Sequence, residues 1–358
     1  MYNALDLLDI HDFEQVVFCN DRPSGLRSIV AIHSTTLGPA LGGTRFYPYA
    51  DGQEALTDVL RLASGMTNKA AAAGLDLGGG KAVIIGDPAT LKTEALLRAH
   101  GRFIESLGGR YITAEDVGTT QRDMDMIQRE TAHVVGVSSL GGGSGDPSTA
   151  TATGLVHAMR AVATKLWGTL TLEGRHVVIS GVGKVGSALA GLLVNEQALV
   201  TIADVTPTTL VRVADDLGLA TVSVERALTL ECDIFAPCGM GGVLNESTIA
   251  ALRCRAVVGS ANNQLSDRSG ADQLAKKGVL YVPDYIVNAG GLLNVAEELH
   301  GYRRARAHDA ISRVFDTTAR VLAMATAESI TPLDAADRLA ADRIAALSAL
   351  PRLTARPS

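Results

Sequence analysis

Val177-Val178-Ile179-Ser180-Gly181-Val182-Gly183-Lys184-Val185-Gly186 runs from an apolar stretch straight into a glycine turn of the form G-x-G-x-x-G. The reading depends on the flanks. His176 to Ser180 predicts a buried strand, and Val185 to Asn195 a helix. In such a unit the first glycine allows the tight turn and the second lets a diphosphate approach the backbone. The third lets helix and strand pack closely. The diphosphate then lies at the helix N-terminus, where unpaired N–H groups favour negative charge. Leu199 to Ala203 predicts the next strand, and Asp204 closes it 18 residues after Gly186. A carboxylate there accepts hydrogen bonds from ribose hydroxyls and repels a 2′-phosphate. No Arg or Lys follows until Arg212. NAD is therefore expected over NADP, held by Gly181, Val182, Gly183, Lys184, Val185, Gly186 and Asp204.

Outward from this unit, strands and helices alternate through Asp233–Phe235, Ala256–Gly259 and Leu280–Val282. That alternation predicts a parallel, doubly wound Rossmann-type sheet. Ala307–Ala327 and Pro332–Ser348 read as closing helices. Upstream, Val16–Cys19 and Leu26–His33 read as strands around a turn at Asn20–Gly25. Glu54–Ala73 and Lys92–Leu107 read as helices, and Tyr111–Ala114 as a strand ending at Glu115-Asp116. Gly42-Gly43 and Gly78-Gly79-Gly80 both read as loops, the second leading into a short strand, Ala82–Ile85. The Gly/Ser-rich break from Ser138 to Ser148 marks a domain boundary. The fold class is thus α/β with two domains and a cleft between them. An N-terminal α/β substrate-binding and catalytic domain covers 1–140, and a Rossmann-type NAD-binding domain covers 145–330. The last helix, about 330–350, packs back on the first domain.

A chain of 358 residues is long enough for two cores. With 47% hydrophobic and 20% charged residues it reads as soluble and globular. A net charge of -6 with no basic stripe argues against nucleic acid. No stretch reads as a membrane span, because Val177–Ala203 carries Lys184, Glu196 and four glycines. The four cysteines (Cys19, Cys232, Cys238, Cys254) form no C-x-x-C pair. With an acidic start and no signal peptide, they point to the cytoplasm. The histidines are scattered, so no metal site is expected.

Two lysines and an aspartate stand out. On the helix from Glu54, Leu62, Met66, Lys69 and Ala73 share a face. A lysine on an apolar stripe either snorkels to water or pairs with an anion. Lys81 follows three glycines, but Ala82 after it rules out a P-loop. It reads as either a structural lysine or a desolvated base, with Lys69 as a possible cationic neighbour. Asp116, at a strand end, is either a turn residue or a site residue. Gly42 and Gly43 could offer backbone N–H groups to an anion, or be a plain turn.

Taken together these segments resemble the glutamate/leucine/phenylalanine/valine dehydrogenase family, and within it the leucine and valine enzymes. The matching runs are Leu37–Arg45, Gly65–Lys69, Gly78–Lys81, Thr113–Thr119, Ala236–Cys238, Gly259–Gln264 and Asn288–Gly291. The likeness spans roughly residues 14–350. It implies that Lys81 activates the attacking water and that Asp116 shuttles protons at the substrate nitrogen. It further implies that Lys69 binds the substrate carboxylate, so that its charge is paired rather than snorkelled. Gly42 and Gly43 stand near the substrate, with Asn262 close by. Thr151 and Asn263 would meet the nicotinamide end of NAD, and Cys238 would lie beside the cofactor.

By the same resemblance Leu41, Ala114, Leu292 and Val295 line the side-chain pocket. All are apolar, so glutamate would bury an unpaired carboxylate. Leu292 stands where phenylalanine-specific relatives tend to have a small residue and the leucine and valine enzymes usually valine. The expected substrates are valine, leucine, isoleucine or 2-aminobutyrate, oxidised reversibly to the 2-oxo acid and ammonium. Asn68 departs from the aromatic or apolar residue that relatives commonly carry beside the carboxylate-binding lysine. Two alternatives stand beside this reading: a phenylalanine or tryptophan dehydrogenase, and a non-catalytic NAD-binding sensor. A small-molecule substrate and a homo-oligomer are the expected partners.

Overall fold

A computed structural model describes residues 12–349. Residues 1–11, which hold most of the acidic start noted above, and residues 350–358 lie outside them. The chain separates into two compact units, one of residues 12–146, 295–302 and 339–349, the other of 147–294 and 303–338.

The first unit is built on five strands: β1 (Gln15–Asp21), β2 (Leu26–Ser34), β3 (Ala40–Tyr47), β4 (Gly78–Ile85) and β5 (Tyr111–Glu115). Their order is β1-β2-β4-β3-β5. The β1/β2 and β2/β4 pairings are antiparallel, and β4/β3 and β3/β5 are parallel. Helix α1 (Gly52–Ala72) covers one face. Its N-cap Asp51 accepts the Glu54 N–H at 2.8 Å, and the Glu54 carboxylate reaches back to the Ala50 N–H at 2.7 Å. Helix α2 (Glu94–Glu105) packs with α3 (Gln121–Ile127) around Leu97, Ile104, Tyr111, Met124 and Ile127.

Two glycine segments read as loops are strand. Gly78-Gly79-Gly80 opens β4, and Gly42-Gly43 lies inside β3, a strand the sequence reading missed. The reason is steric. A Cβ on Gly79 would stand 2.1 Å from Thr67 Oγ1 and 2.6 Å from the Ala63 carbonyl oxygen, both on α1. A Cβ on Gly42 would stand 1.8 Å from the Gly80 carbonyl oxygen. Glycine here permits close approach rather than a turn. The same contact reorients α1. Its buried residues are Ala55, Leu56, Val59, Leu60, Ala63, Thr67, Ala70, Ala71 and Ala72, whereas Leu62, Met66, Lys69 and Ala73 are only half-buried. Alanines carry the close packing and are underweighted by a search for large apolar side chains. The helix expected over 92–107 begins at Glu94, where Thr93 caps the Leu96 N–H at 3.2 Å.

The second unit holds α4 (Ser148–Trp167), β6 (His176–Ser180), α5 (Lys184–Asn195), β7 (Leu199–Ala203), α6 (Pro207–Leu217), β8 (Ala220–Thr221), β9 (Cys232–Pro237), β10 (Cys254–Val257) and β11 (Leu280–Tyr281). Its sheet runs β11-β10-β9-β6-β7-β8, every pairing parallel. This is the doubly wound arrangement, with the order reversing beside β6. Val178, Phe235, Leu244, Val257 and Leu274 form its centre. Helix α7 (Gly290–Ala296) begins against α4: a Cβ on Gly290 would stand 2.3 Å from the Ala150 carbonyl oxygen. Helix α8 (Arg304–Glu328) lies along α4, and α9 (Pro332–Ser348) closes the described chain. No helix among the described residues is long and apolar enough to cross a membrane.

Beneath β3 a polar chain is sealed from water. His100 is fully buried; its Nε2 meets Thr44 Oγ1 at 3.0 Å and its Nδ1 meets Ser28 Oγ at 3.3 Å. Thr44 and Thr113 share a hydrogen bond of 2.7 Å, and the Tyr111 hydroxyl donates to the Gly42 carbonyl at 2.6 Å. Burial lowers the pKa of His100 to about 4, against about 6.5 unfolded. Between those values the unfolded chain takes up a proton that the folded chain refuses. The contribution is therefore complete above pH 6.5 and is lost as pH falls toward 4, on the order of 3 kcal/mol in all. Urea unfolding at stepped pH should show a flatter profile for His100→Gln over that window. Equal slopes in the two proteins would remove His100 as the cause.

Candidate active site

Lys81 stands on β4, in the middle of the first sheet, and is 4% exposed. Its Nζ donates a hydrogen bond to Asp116 Oδ2. Asp116 follows directly on β5, in a turn tied down from several sides. Its N–H donates to Thr119 Oγ1 at 2.9 Å, and Thr119 Oγ1 donates to the Thr44 carbonyl at 2.8 Å. The Phe46 N–H donates to the Val117 carbonyl at 2.8 Å, which ties the turn to β3. Gly118 has φ +79, and a Cβ there would strike the Phe46 carbonyl oxygen at 1.9 Å. This turn requires glycine.

The other oxygen of Asp116, Oδ1, accepts from Arg45 Nε at 3.0 Å and from the Val117 N–H at 2.7 Å. Arg45 is on β3, two residues beyond Gly43, and so shares its face of the sheet. Its Nη1 bonds Asp58 Oδ2 on α1 at 2.9 Å, and the Tyr49 hydroxyl donates to the same oxygen at 2.7 Å. Arg61 Nη2 reaches Asp58 Oδ1 at 3.0 Å. Burial would raise the pKa of Asp116. The Lys81 and Arg45 cations outweigh that and pull it down to about 2. Asp116 is thus a carboxylate at neutral pH, gripped between two cations.

Gly42 and Gly43 pair with Thr113 and Ala114 of β5. Toward β4 the register runs from Leu41↔Gly79 to Thr44↔Ala82, so the ladder skips the two glycines opposite Gly80 and Lys81. A Cβ on Gly43 would stand 2.9 Å from Asp116 Cβ. The structure thus gathers Gly43, Lys81 and Asp116 in one place, with Arg45 beside them. Leu41, 1% exposed, pairs with Ile112, two residues before Ala114. Ala114 and Lys69 are half-buried, and Val295 is buried in the same unit. Leu292 is buried in the second unit.

The glycine turn lies in the second unit. Gly181 has φ +101, and a Cβ there would meet the Gly239 nitrogen at 2.5 Å. A Cβ on Gly186 would stand 2.0 Å from the Gly181 carbonyl oxygen. Around Gly183 nothing lies within 4 Å of the Cβ position. That residue is the N-cap of α5 and makes no side-chain cap bond. An exposed approach beside a helix start fits a diphosphate. Val182 is buried and Val185 half-buried, while Lys184 is exposed. Asp204 Oδ2 accepts the Val182 N–H at 2.7 Å, and its Oδ1 accepts the Thr206 N–H at 2.7 Å. Thr151, on α4, donates to the Pro147 carbonyl at 3.0 Å and stands beside Gly291, whose Cβ position is 2.6 Å from Thr151 Oγ1. Cys238, at the end of β9, donates its N–H to the Ser180 carbonyl at 2.7 Å, and burial pushes its thiol up. Asn262 Oδ1 accepts from Asn288 Nδ2 at 2.8 Å, and Asn263, exposed with φ +53, donates its N–H to Asp284 Oδ2.

Family models match almost the whole chain. "Glu/Leu/Phe/Val dehydrogenase, dimerisation domain" covers residues 13–133, and "Glutamate/Leucine/Phenylalanine/Valine dehydrogenase" covers 142–219 and 208–349. The chain belongs to the glutamate/leucine/phenylalanine/valine dehydrogenase family. It is an oxidoreductase of the class acting on the CH–NH2 group of amino acids. The dehydrogenase is 50% identical over 337 residues to leucine dehydrogenase of Geobacillus stearothermophilus (94% of this chain, 92% of the relative). It is also 50% identical over 335 residues to valine dehydrogenase of Streptomyces coelicolor (93% and 92%). Among solved structures, L-tryptophan dehydrogenase from Nostoc punctiforme superposes with a TM-score of 0.84 at 40% identity, covering 96% of this chain and 99% of the other.

Arg45, Asp58 and Tyr49 were not assigned from the sequence. Arg45 ends the matching run Leu37–Arg45, but reading Gly42-Gly43 as a loop hid the period of two that places Arg45 beside Gly43. The glycine turn generates its own test. Gly186→Ala should cost the dehydrogenase about 1–3 kcal/mol in urea unfolding, because backbone must move. Gly183→Ala should leave stability nearly unchanged and weaken NAD binding at least tenfold in a calorimetric titration. Equal stability losses in both variants would refute this division of labour.

Proposed function

We propose that the enzyme catalyses the reversible, NAD-dependent oxidative deamination of a branched-chain or small aliphatic L-amino acid to its 2-oxo acid, ammonium and NADH. The observation carrying this reading is the Lys81–Asp116 pair beside Gly43, in a chain that resembles leucine and valine dehydrogenases over nearly its whole length. The first unit is the substrate-binding and catalytic domain, and the second holds the cofactor.

Lys69 binds the substrate carboxylate, and the backbone at Gly42 and Gly43 borders the substrate, with Asn262 nearby. Lys81 takes a proton from the attacking water. Asp116 moves the proton that makes nitrogen a leaving group. The buried setting of Lys81 keeps competing water away from the reacting atoms. NAD, when bound, supplies the acceptor for the hydride leaving the α-carbon. The backbone of Gly183, Lys184, Val185 and Gly186 at the start of α5 would meet its diphosphate, with Gly181 making the turn and Val182 tied to Asp204. Asp204 takes the ribose hydroxyls, and Thr151, Asn263 and Cys238 stand toward the nicotinamide end. A homo-oligomer working in the cytoplasm is the assembly and compartment we infer.

By resemblance, Leu41, Ala114, Leu292 and Val295 are the residues we assign to the side-chain pocket. An apolar pocket rejects glutamate, whose carboxylate would be left unpaired. It separates aliphatic substrates by only about 1–3 kcal/mol per methylene, so valine, leucine, isoleucine and 2-aminobutyrate should overlap. The 40% identity to a tryptophan dehydrogenase supports a second reading, an aromatic substrate in the same site.

NADH formation against valine, leucine, isoleucine, 2-aminobutyrate, phenylalanine, tryptophan and glutamate decides between them. An aliphatic substrate should lead, and Lys81→Ala should lower kcat at least a thousandfold in folded protein. Turnover of aromatics alone would keep the chemistry and overturn the pocket. No turnover from folded, NAD-binding protein would favour a sensor. Leu292→Ala should raise kcat/KM for phenylalanine about tenfold or more; an unchanged value would remove Leu292 from the pocket.

A further inference from the structure

We propose that Arg45 is a positioning residue whose guanidinium, anchored by Asp58 and Tyr49, holds the Asp116 carboxylate aimed at Lys81. The proposal rests on the roles read for Lys81 and Asp116 and adds a third member to them.

The geometry is a bridge. Arg45 uses Nε for Asp116 and Nη1 for Asp58, so one planar group links the turn after β5 to helix α1. Its side chain is 23% exposed, Asp116 is 21% exposed and Asp58 is 15% exposed, so water screens this chain of charges only weakly. Asp116 Oδ1 is taken by Arg45 and the Val117 N–H, which leaves Oδ2 to face Lys81. Without Arg45 only the short backbone bond from Val117 would hold Oδ1, and the plane of the carboxylate would be freer to tilt away from Lys81. Arginine suits the role because its fork meets two carboxylates at fixed angles, which a lysine ammonium on a flexible stem does not.

Arg45 also stabilises charge that Lys81 alone would have to balance. When Lys81 gives up a proton during turnover, Asp116 loses one of its two cations. Arg45 stays charged, so Asp116 returns to its ionised form once it has passed its proton to the nitrogen. The groups facing Asp116 are Lys81 from β4, Arg45 from β3 and, farther off, the buried Tyr111 from β5. Asp58 and Arg61 from α1 act on it through Arg45. Glu54 and Lys69 on α1 and Glu115 on β5 are the remaining charged residues of these elements.

The test uses full-length enzyme labelled with carbon-13 at aspartate carboxyls. The Asp116 signal is identified by its loss in Asp116→Asn. In the wild type this carboxyl should stay ionised down to pH 4. In Arg45→Met its midpoint should rise by one pH unit or more. The acid limb of kcat/KM should rise with it, and kcat should fall at least tenfold with KM changing less than threefold. Asp58→Asn keeps the guanidinium but removes its anchor. It should lower kcat while leaving the Asp116 midpoint unmoved or lower. Arg45→Lys, a cation without the fork, should restore the midpoint more fully than kcat. A merely structural Arg45 would lower the melting temperature without moving the Asp116 midpoint, and that result overturns the proposal. So does a wild-type midpoint in folded Arg45→Met. Should Arg45→Met not fold, Asp58→Asn decides: unchanged kcat overturns the proposal, and reduced kcat with an unmoved or lower midpoint supports it. If the wild type turned over no amino acid, the functional reading would fall, while the carboxyl titration would still test the grip of Arg45 on Asp116.

Discussion

The first unit depends on the absence of side chains along Gly78-Gly79-Gly80. Helix α1 comes so close to β4 that a single methyl group on Gly79 would overlap Thr67 and the Ala63 carbonyl. β2 closes in at Gly78 and Tyr111 at Gly80 with the same tightness. Dense packing of this kind fixes backbone position to fractions of an ångström. Lys81 comes immediately after, and its long side chain inherits that rigidity at its base. A catalytic group on a strand interior is held more tightly than one on a loop. The glycines are therefore part of the site although they lie on its structural side.

Around Lys81 the charges alternate: a lysine, an aspartate, an arginine and a second aspartate, drawn from β4, the turn after β5, β3 and α1. A buried lysine alone would be costly. Spread over four groups, the cost is met by hydrogen bonds at each step, and Tyr49 satisfies the far end. On the opposite face of β3 a neutral chain of Ser28, His100, Thr44, Thr113 and Tyr111 does the corresponding work without ions. One strand thus divides a charged face from a neutral one through the alternation of its side chains.

The glycine turn and its flanks were legible residue by residue, because its glycines, flanking strand and closing acid occur within one continuous segment. β6, β7 and α9 fall where their sequences place them. β3 was not legible, and neither was the start of β4. Glycine pairs and triplets carry no alternation, and only the tertiary contacts reveal that they are strand. The face of α1 was misjudged for a related reason: five of its nine buried residues are alanines, which signal close approach rather than hydrophobicity. Arg45 was visible as a letter but not as a partner, since Asp116 and Asp58 reach it from distant parts of the chain.

Asp204 has a consequence for anyone wishing to re-engineer the cofactor choice. Its carboxylate is already the acceptor for the Val182 and Thr206 N–H groups, so it fastens the glycine turn from within. Replacing it with an apolar or basic residue to admit a 2′-phosphate would strip two backbone donors of their acceptor. Retargeting therefore begins with a short neutral side chain that still accepts hydrogen bonds, such as serine or asparagine, and adds the cation on neighbouring α6. On the reading proposed for Asp204, nucleotide preference and loop architecture rest on the same two oxygen atoms.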